Sequence, residues 1–258
     1  MTDLALDEES LERYSRHIIM DGVGPEGQQA LLDADVLVVG AGGLGSPVIA
    51  YLAAAGIGRL HVVDADVVER SNLQRQVIHT EADVGQPKVE SARAFVEGLN
   101  PDVEVVAHEV EFGPDNAEEL IDGRDFVVDC SDNFRTRYLV NDACTLAGIP
   151  FSHGAVYRFE GQVTTFAEAD GPCYRCLFPE APSEDEALDC SRAGVLGVLP
   201  GTVGTIQATE TIKGIANVGE LLDGRLLFYD AMDLTFEEVP ILPNPECPVC
   251  GEKPAIES

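Results

Sequence analysis

The amino-acid sequence predicts an α/β protein: a parallel sheet in its first half, continued by antiparallel strands, with helices on both faces and a structural zinc site. Three observations carry this. Apolar runs of about five residues alternate with helical spacing as far as Pro150, the pattern of strands buried on both faces. After Pro150 two strand-like runs stand close together, as an antiparallel pair does. Two Cys-x-x-Cys pairs then bracket the second half.

The elements follow in order. SLERYSRHIIM has helical spacing, with Ser10 as N-cap and Leu11, Tyr14, Ile18 and Ile19 as its apolar face. GPEGQQALLDA is a second short helix. Strand DVLVVG leads through the turn AGGLG into helix SPVIAYLAAAG, and RLHVVD is the next strand. A helix in PKVESARAFVEGLN, strand VEVVAHEV and a further helix–strand step end in DFVVDCSDN, before helix FRTRYLVNDACTLAG. FSHGAVYRF and EGQVTTFAEA form the antiparallel pair. The long helix GTVGTIQATETIKGIANVG precedes strands RLLFYDAM and LTFEEVPI.

The 258 residues carry 46 acids and 16 bases, a formal net charge of −30, and the only lysines are Lys88, Lys213 and Lys253. The acids are spread along the chain, so the surface itself is acidic. Such a surface repels itself at low salt, but at 1 M the Debye length is about 3 Å, so the composition points to a halophilic protein. Nothing supplies a basic patch for nucleic acid. The N-terminal segment lacks an apolar signal core and no apolar run reaches membrane-spanning length, so a cytoplasmic protein with no membrane contact is expected. Seven cysteines in that setting suggest metal or thiol chemistry before disulfides.

GAGGLG places Gly40, Gly42 and Gly45 in a G-x-G-x-x-G frame between a strand and a helix. Glycines let backbone approach a phosphate, and the helix N-terminus offers free N–H groups. Asp64 ends the next strand 19 residues after Gly45, where a ribose-binding acid belongs in a Rossmann-like sheet. The frame fits NAD as well as ATP. Three further polar segments fall near the C-terminal ends of parallel strands: SNLQRQ, GQPKVES and DCSDN. Lys88 occupies the first turn of a helix, where a cation opposes the helix dipole. Asp132 is a carboxylate suited to Mg2+. Arg75, Lys88 and Asp132 together suit a triphosphate; NAD brings only a pyrophosphate and needs no metal.

The segments RYSRHI, GAGGLG, DADVVERSNLQRQ, VGQPKVESAR, DCSDNFRTR, CYRC and CPVC stand in the order found in the MoeB/ThiF family, from about residue 11 to 251. The chain resembles these adenylating enzymes and the adenylation domain of ubiquitin-activating enzymes. The resemblance implies a small ubiquitin-like or sulfur-carrier protein ending in Gly-Gly as partner, and a homodimer. It implies that Gly43, Asp64, Ser71, Asn72, Leu73, Gln74, Arg75, Lys88, Asp132 and Asn133 bind ATP and its metal, and that Arg16 reaches the partner subunit's nucleotide. Together with the acidic composition, the resemblance points to a haloarchaeal activating enzyme for small modifiers, and sulfur is expected to come from another protein.

A carboxylate nucleophile needs no general base, which suits a site of cations rather than a Ser–His pair. All five histidines read as structural. Cys173, Cys176, Cys247 and Cys250 suit tetrahedral, structural zinc; two redox pairs are the alternative. Cys130 and Cys144 read as core. Cys190, in APSEDEALDCSRAG, corresponds in the resemblance to a cysteine that forms a thioester or acyl-disulfide, the alternative being a dispensable thiol. The expected organisation is one unit over 1–258: N-terminal helices in 8–33, a nucleotide-binding half at 34–150, and a carrier-binding and zinc half at 151–258. Competing readings are an NAD-dependent oxidoreductase, which lacks a visible acid–base pair, and a non-catalytic activating-enzyme scaffold.

Overall fold

A computed structural model describes residues 6–168, 170–182 and 194–256. Its strands are β1 (Asp35–Val39), β2 (Arg59–Val63), β3 (Glu104–His108), β4 (Phe126–Asp129), β5 (Phe151–Tyr157), β6 (Glu160–Phe166), β7 (Arg225–Asp230) and β8 (Thr235–Pro240). All eight join one sheet in the order β3-β2-β1-β4-β5-β6-β7-β8. Pairing is parallel from β3 to β5 and antiparallel from β5 to β8.

The helices are α1 (Glu8–Arg13), α2 (Ser15–Ile18), α3 (Gly24–Asp33), α4 (Gly45–Ala55), α5 (Lys88–Leu99), α6 (Ala117–Ile121), α7 (Phe134–Ala147), α8 (Tyr174–Leu177) and α9 (Leu199–Ala216). The strand period of two divides them between the faces. Val36, Val38, Phe126 and Val128 pack with α4, α5 and α9 on one face. Leu37, Val39, Val127 and Phe151 pack with α6, α7 and α8 on the other. With both faces covered, the strands are free to be apolar throughout, which is why they read as runs rather than alternations.

Where α4 crosses α9 the two backbones nearly touch. A Cβ on Gly204 would stand 2.5 Å from the Leu44 carbonyl oxygen and the Pro47 ring. That approach brings Pro200 of α9 within reach of the loop before α4. Gln207, wholly buried, donates to the carbonyls of Asp129 at 2.8 Å and Ser152 at 3.3 Å, tying α9 to the ends of β4 and β5.

The N-terminal helix departs from expectation. The N-cap is Asp7, not Ser10: the Asp7 carboxylate accepts from the Ser10 amide at 2.8 Å. The helix also breaks at Tyr14, so only part of the expected apolar face is covered. Tyr14 is buried, whereas Leu11 and Ile19 are exposed. The break has a cause in packing. The Tyr14 ring fills the space above Gly56, and its hydroxyl accepts from Asn100 at 2.8 Å. The long helix starts two residues earlier than expected, at Leu199, because Pro200 fits its first turn.

Candidate nucleotide site and cysteine cluster

The sheet order reverses between β1 and β4, and the crevice at such a switch point is where open α/β sheets bind ligands. Residues 40–44 leave β1 there and Cys130–Asn133 leave β4. Gly40 has φ +101°, and a Cβ on it would sit 2.9 Å from the Cys130 carbonyl. A Cβ on Gly45 would collide with the Gly40 carbonyl. These two glycines therefore serve the turn and the close entry of α4. Gly42 is different: its nearest neighbour would be the Gln76 amide nitrogen at 3.5 Å. Gly43 lies against Pro200 and the Arg75 stem. The amides of Gly42, Gly43 and Leu44 have no acceptor among the described residues, and α4 begins without a side-chain N-cap. Free amides at a helix start suit an anion.

Asp64 follows β2 and supports the same loop. One carboxylate oxygen accepts from the Ala41 amide and the other from the Asp66 amide, both at 2.8 Å. The SNLQRQ segment folds as a 3-10 turn (Arg70–Asn72). Asn72 is buried and its side-chain Oδ1 accepts from the Glu69 amide at 3.1 Å, so this residue shapes the turn. The Ser71 hydroxyl donates to Glu69 at 3.2 Å. Arg75 reaches back to the Ser71 carbonyl at 3.3 Å while its stem lies near Gly43. Leu73 is half-buried and Gln74 exposed, the latter against Gly197.

Lys88 is buried at the start of α5. Its ammonium lies 2.7 Å from Asp66 and 3.7 Å from Asp64, and these two acids offset the unfavourable helix dipole there. Asp132 is exposed beyond β4. Asn133 caps α7 by accepting from the Thr136 amide at 2.9 Å. Glycine loop, Asp64, Arg75, Lys88 and Asp132 thus share one end of the sheet.

Arg16 does not join them. It is exposed on α2, whose neighbour Tyr14 packs at the far end of α4, about 16 Å of helix from the loop. Cys190 lies outside the described residues. A separate hollow of about 440 Å³ at the opposite end of β4, lined by Asp33, Asp125, Phe126 and Pro150, contains no cation to meet a phosphate.

Several residues in and beneath the crevice were given no part in the site by the sequence. Asp66 is the nearer partner of Lys88. Gln76 is buried, with its carbonyl oxygen unpaired among the described residues. Asp129 accepts from His153 at 2.7 Å and from the Ser131 hydroxyl at 2.6 Å. Burial opposes the charge on Asp129, yet these bonds and nearby Arg137 hold its carboxyl below the ordinary value. Burial also lowers His153. The pair is therefore a carboxylate bonded to a neutral imidazole. Burial raises the thiols of Cys130 and Cys144, as expected of core cysteines.

The four sulfurs of Cys173, Cys176, Cys247 and Cys250 lie within 4.8 Å of one another. Cys173 and Cys247 are 3.5 Å apart, and Cys176 and Cys250 are 3.4 Å apart. Burial pushes Cys173 up to about 12, the bond from Cys250 opposing it and Cys247 and Cys176 adding to it, and burial with the neighbouring thiols raises Cys250. Burial opposes ionisation of Cys247 too, but the amides of Cys250 and Val249 hold it below the ordinary thiol value. Four soft donors with no carboxylate or imidazole among them fit tetrahedral zinc with no open position. The cluster is fixed to α7: the Tyr174 amide donates to Asn141 at 2.7 Å, and Arg175 forks onto Asp142 at 2.6 and 2.7 Å.

A family model described as the ThiF family matches residues 14–249. The chain belongs to the ThiF family. Among similar proteins is the SAMP-activating enzyme E1 of Haloferax volcanii, 66% identical over 249 residues, covering 96% of this chain and 92% of the relative. A sulfur carrier protein adenylyltransferase of Thermus thermophilus is 51% identical over 251 residues, covering 95% and 93%. Among solved structures, the microcin C7 biosynthetic enzyme MccB in complex with N-formylated MccA superposes with a TM-score of 0.84 at 26% identity, over 93% of this chain and 75% of that one. This ThiF-family chain contains no helix, among the described residues, long and apolar enough to cross a membrane.

Proposed function

We propose that this protein adenylates the C-terminal glycine of a small ubiquitin-like or sulfur-carrier protein. One observation carries the reading: the loop amides, Arg75, Lys88 and Asp132 gather at the switch point of the sheet, a set suited to a metal-bound triphosphate. The names of the two relatives, a SAMP-activating E1 and a sulfur carrier adenylyltransferase, support the substrate class.

The carrier's terminal carboxylate attacks the α-phosphorus of ATP. A bond forms from carboxylate oxygen to phosphorus, the α–β phosphoanhydride bond breaks, and pyrophosphate leaves with the electron pair. The products are carrier acyl-adenylate and pyrophosphate. The attacking group is already ionised, so the protein's tasks are alignment and charge neutralisation. Asp64 holds the ribose. The amides of Gly42 to Leu44 cradle phosphate, and Arg75 and Lys88 meet the charge that develops on pyrophosphate. Asn72 and Gln74 shape the wall of the cradle.

The unpaired Gln76 oxygen and the space over Gly42 fit a polar ligand. Asp132, an exposed carboxylate, fits a hard cation held jointly with phosphates. Mg2+ bound there supplies charge neutralisation across the triphosphate. Zn2+ at the four cysteines supplies a cross-link between the middle and the end of the chain. We further propose a homodimer in which Arg16, remote from its own crevice, serves the partner subunit. A covalent step at Cys190 after adenylation, a single functional unit over 1–258, and a cytoplasmic, salt-adapted setting complete the reading.

Carrier-dependent ATP–pyrophosphate exchange tests it. Wild type exchanges only with a carrier ending in Gly-Gly, Arg75→Ala loses exchange, and Cys190→Ser retains it. Absence of exchange with every such carrier would sink the proposal.

A further inference from the structure

His79 touches the phosphate-loop backbone, yet the reaction above gives it no task. The ring is buried, with Nε2 2.9 Å from the Ala41 carbonyl oxygen and Nδ1 2.8 Å from the Ser91 hydroxyl. A carbonyl oxygen can only accept, so Nε2 carries the proton. A neutral ring then accepts at Nδ1 and Ser91 donates, with the nearby Asp83 carboxylate the other acceptor that hydroxyl faces. Burial lowers His79 from the ordinary imidazole value; the bond to Ala41 and the charges of Asp64 and Asp83 oppose this and Lys88 adds to it, and the net lowering favours the neutral ring near pH 7.

The two bonds end on different elements. Ala41 belongs to the loop between β1 and α4, and Asp64 already holds its amide at 2.8 Å. Ser91 stands in the first turn of α5, three residues after Lys88. Ala41 is therefore gripped at both its N–H and its C=O, and the grip on the C=O passes through one planar ring to the helix that carries Lys88. No rotatable bond separates the two ring nitrogens. Loop and helix are thus held by two hydrogen bonds across one rigid ring rather than by a flexible chain.

We propose that His79 is a positioning residue for ATP: by bonding Ala41 and Ser91 together it fixes the spacing between the free amides of Gly42 to Leu44 and the ammonium of Lys88. The role rests on the adenylation reading of this crevice. It explains why a polar ring occupies a buried place that an apolar side chain could fill.

Three variants test it. His79→Leu keeps much of the volume and removes both bonds. His79→Gln places an amide N–H near the position of Nε2 and restores the bond to Ala41. Ser91→Ala cuts the link to α5 alone. For each, Mg–ATP affinity is measured by equilibrium dialysis, KM and kcat for ATP by pyrophosphate exchange, and folding by thermal melting in the same buffer. His79→Leu is expected to weaken ATP about tenfold and to raise KM for ATP by a like factor, as a buried carbonyl loses its partner. KM for the carrier stays unchanged, His79→Gln recovers most of the loss, and Ser91→Ala lies between. A folded His79→Leu that binds ATP as wild type does overturns the role, and so does a His79→Gln no better than His79→Leu. Should His79→Leu fail to fold, wild-type ATP affinity in Ser91→Ala overturns it instead. Wild-type protein that binds no ATP overturns the adenylation reading and this role together, an outcome distinct from a defect confined to the variants.

Discussion

Lys88 shows how one residue can be visible in the sequence while its surroundings are not. In a chain with three lysines, one at a helix start attracts notice at once. Its partners do not, because Asp66 meets it only after the chain has turned through SNLQRQ. Lys88→Ala is expected to lower exchange at least about 100-fold, since charge neutralisation is the main catalytic contribution at such a site. Asp66→Asn removes an exposed competitor for the same ammonium. ATP should then bind a few-fold more tightly at low salt, with the gain shrinking as salt rises; isothermal titration across a salt series reads both. The sequence shows His79 and Gln76 but not their settings, because the backbone they face at Ala41 and Gly42 lies more than 30 residues away. His61 is a separate case, outside the crevice. Burial, and then the charge of Arg124 beside it, lower its pKa from 6.5 to about 4. Between those values the unfolded chain binds the proton more readily, so folding stability rises with pH across that window and falls as pH drops through it. The loss is on the order of 2–3 kcal/mol. It is read from urea midpoints in high salt, where the chain's own repulsion is screened, with the His61 resonance titrating near 4.

Among elements, strands and long helices were legible because strand burial and helix spacing leave periodic traces. The errors fall at helix ends and where packing overrides local preference. Tyr14 breaks the first helix because its ring is needed above Gly56, and no spacing rule contains that information. Asn133 illustrates a different ambiguity. The resemblance implies nucleotide contact, whereas the geometry gives it the N-cap of α7. Asn133→Ala should cost about 1 kcal/mol of stability, and Asn133→Ser should restore it. If Asn133 also touches ATP, Asn133→Ser will recover the melting temperature but not KM, so the two roles separate. The crossing of α4 on α9 is tighter still. Gly204→Ala forces a methyl onto the Leu44 carbonyl, and a destabilisation of about 1–3 kcal/mol is expected by calorimetry. Because Leu44 directly precedes α4, the same variant should also weaken ATP.

At the scale of the whole molecule, the net charge of −30 governs behaviour that no single contact explains. Its acids are distributed, so their repulsion acts over the entire surface and is screened as the Debye length falls from about 10 Å at 0.1 M to about 3 Å at 1 M. The melting temperature should climb steeply over that range in KCl; a flat profile would remove the salt-adapted reading. The four-cysteine cluster also acts at this scale. It joins positions 74 residues apart in sequence, with α9, β7 and β8 in the stretch between them. A metal there closes a ring in the chain, much as a disulfide would, and a ring of that size restricts the unfolded state by about 4 kcal/mol. Topology adds a second effect. If a protease site were engineered into residues 183–193 and cut, the two pieces would each retain two of the four cysteines. The nicked protein should travel as one particle through gel filtration while metal is present. Chelation should then sharply lower the denaturant needed to part the pieces, because the backbone no longer shares the task of holding them together.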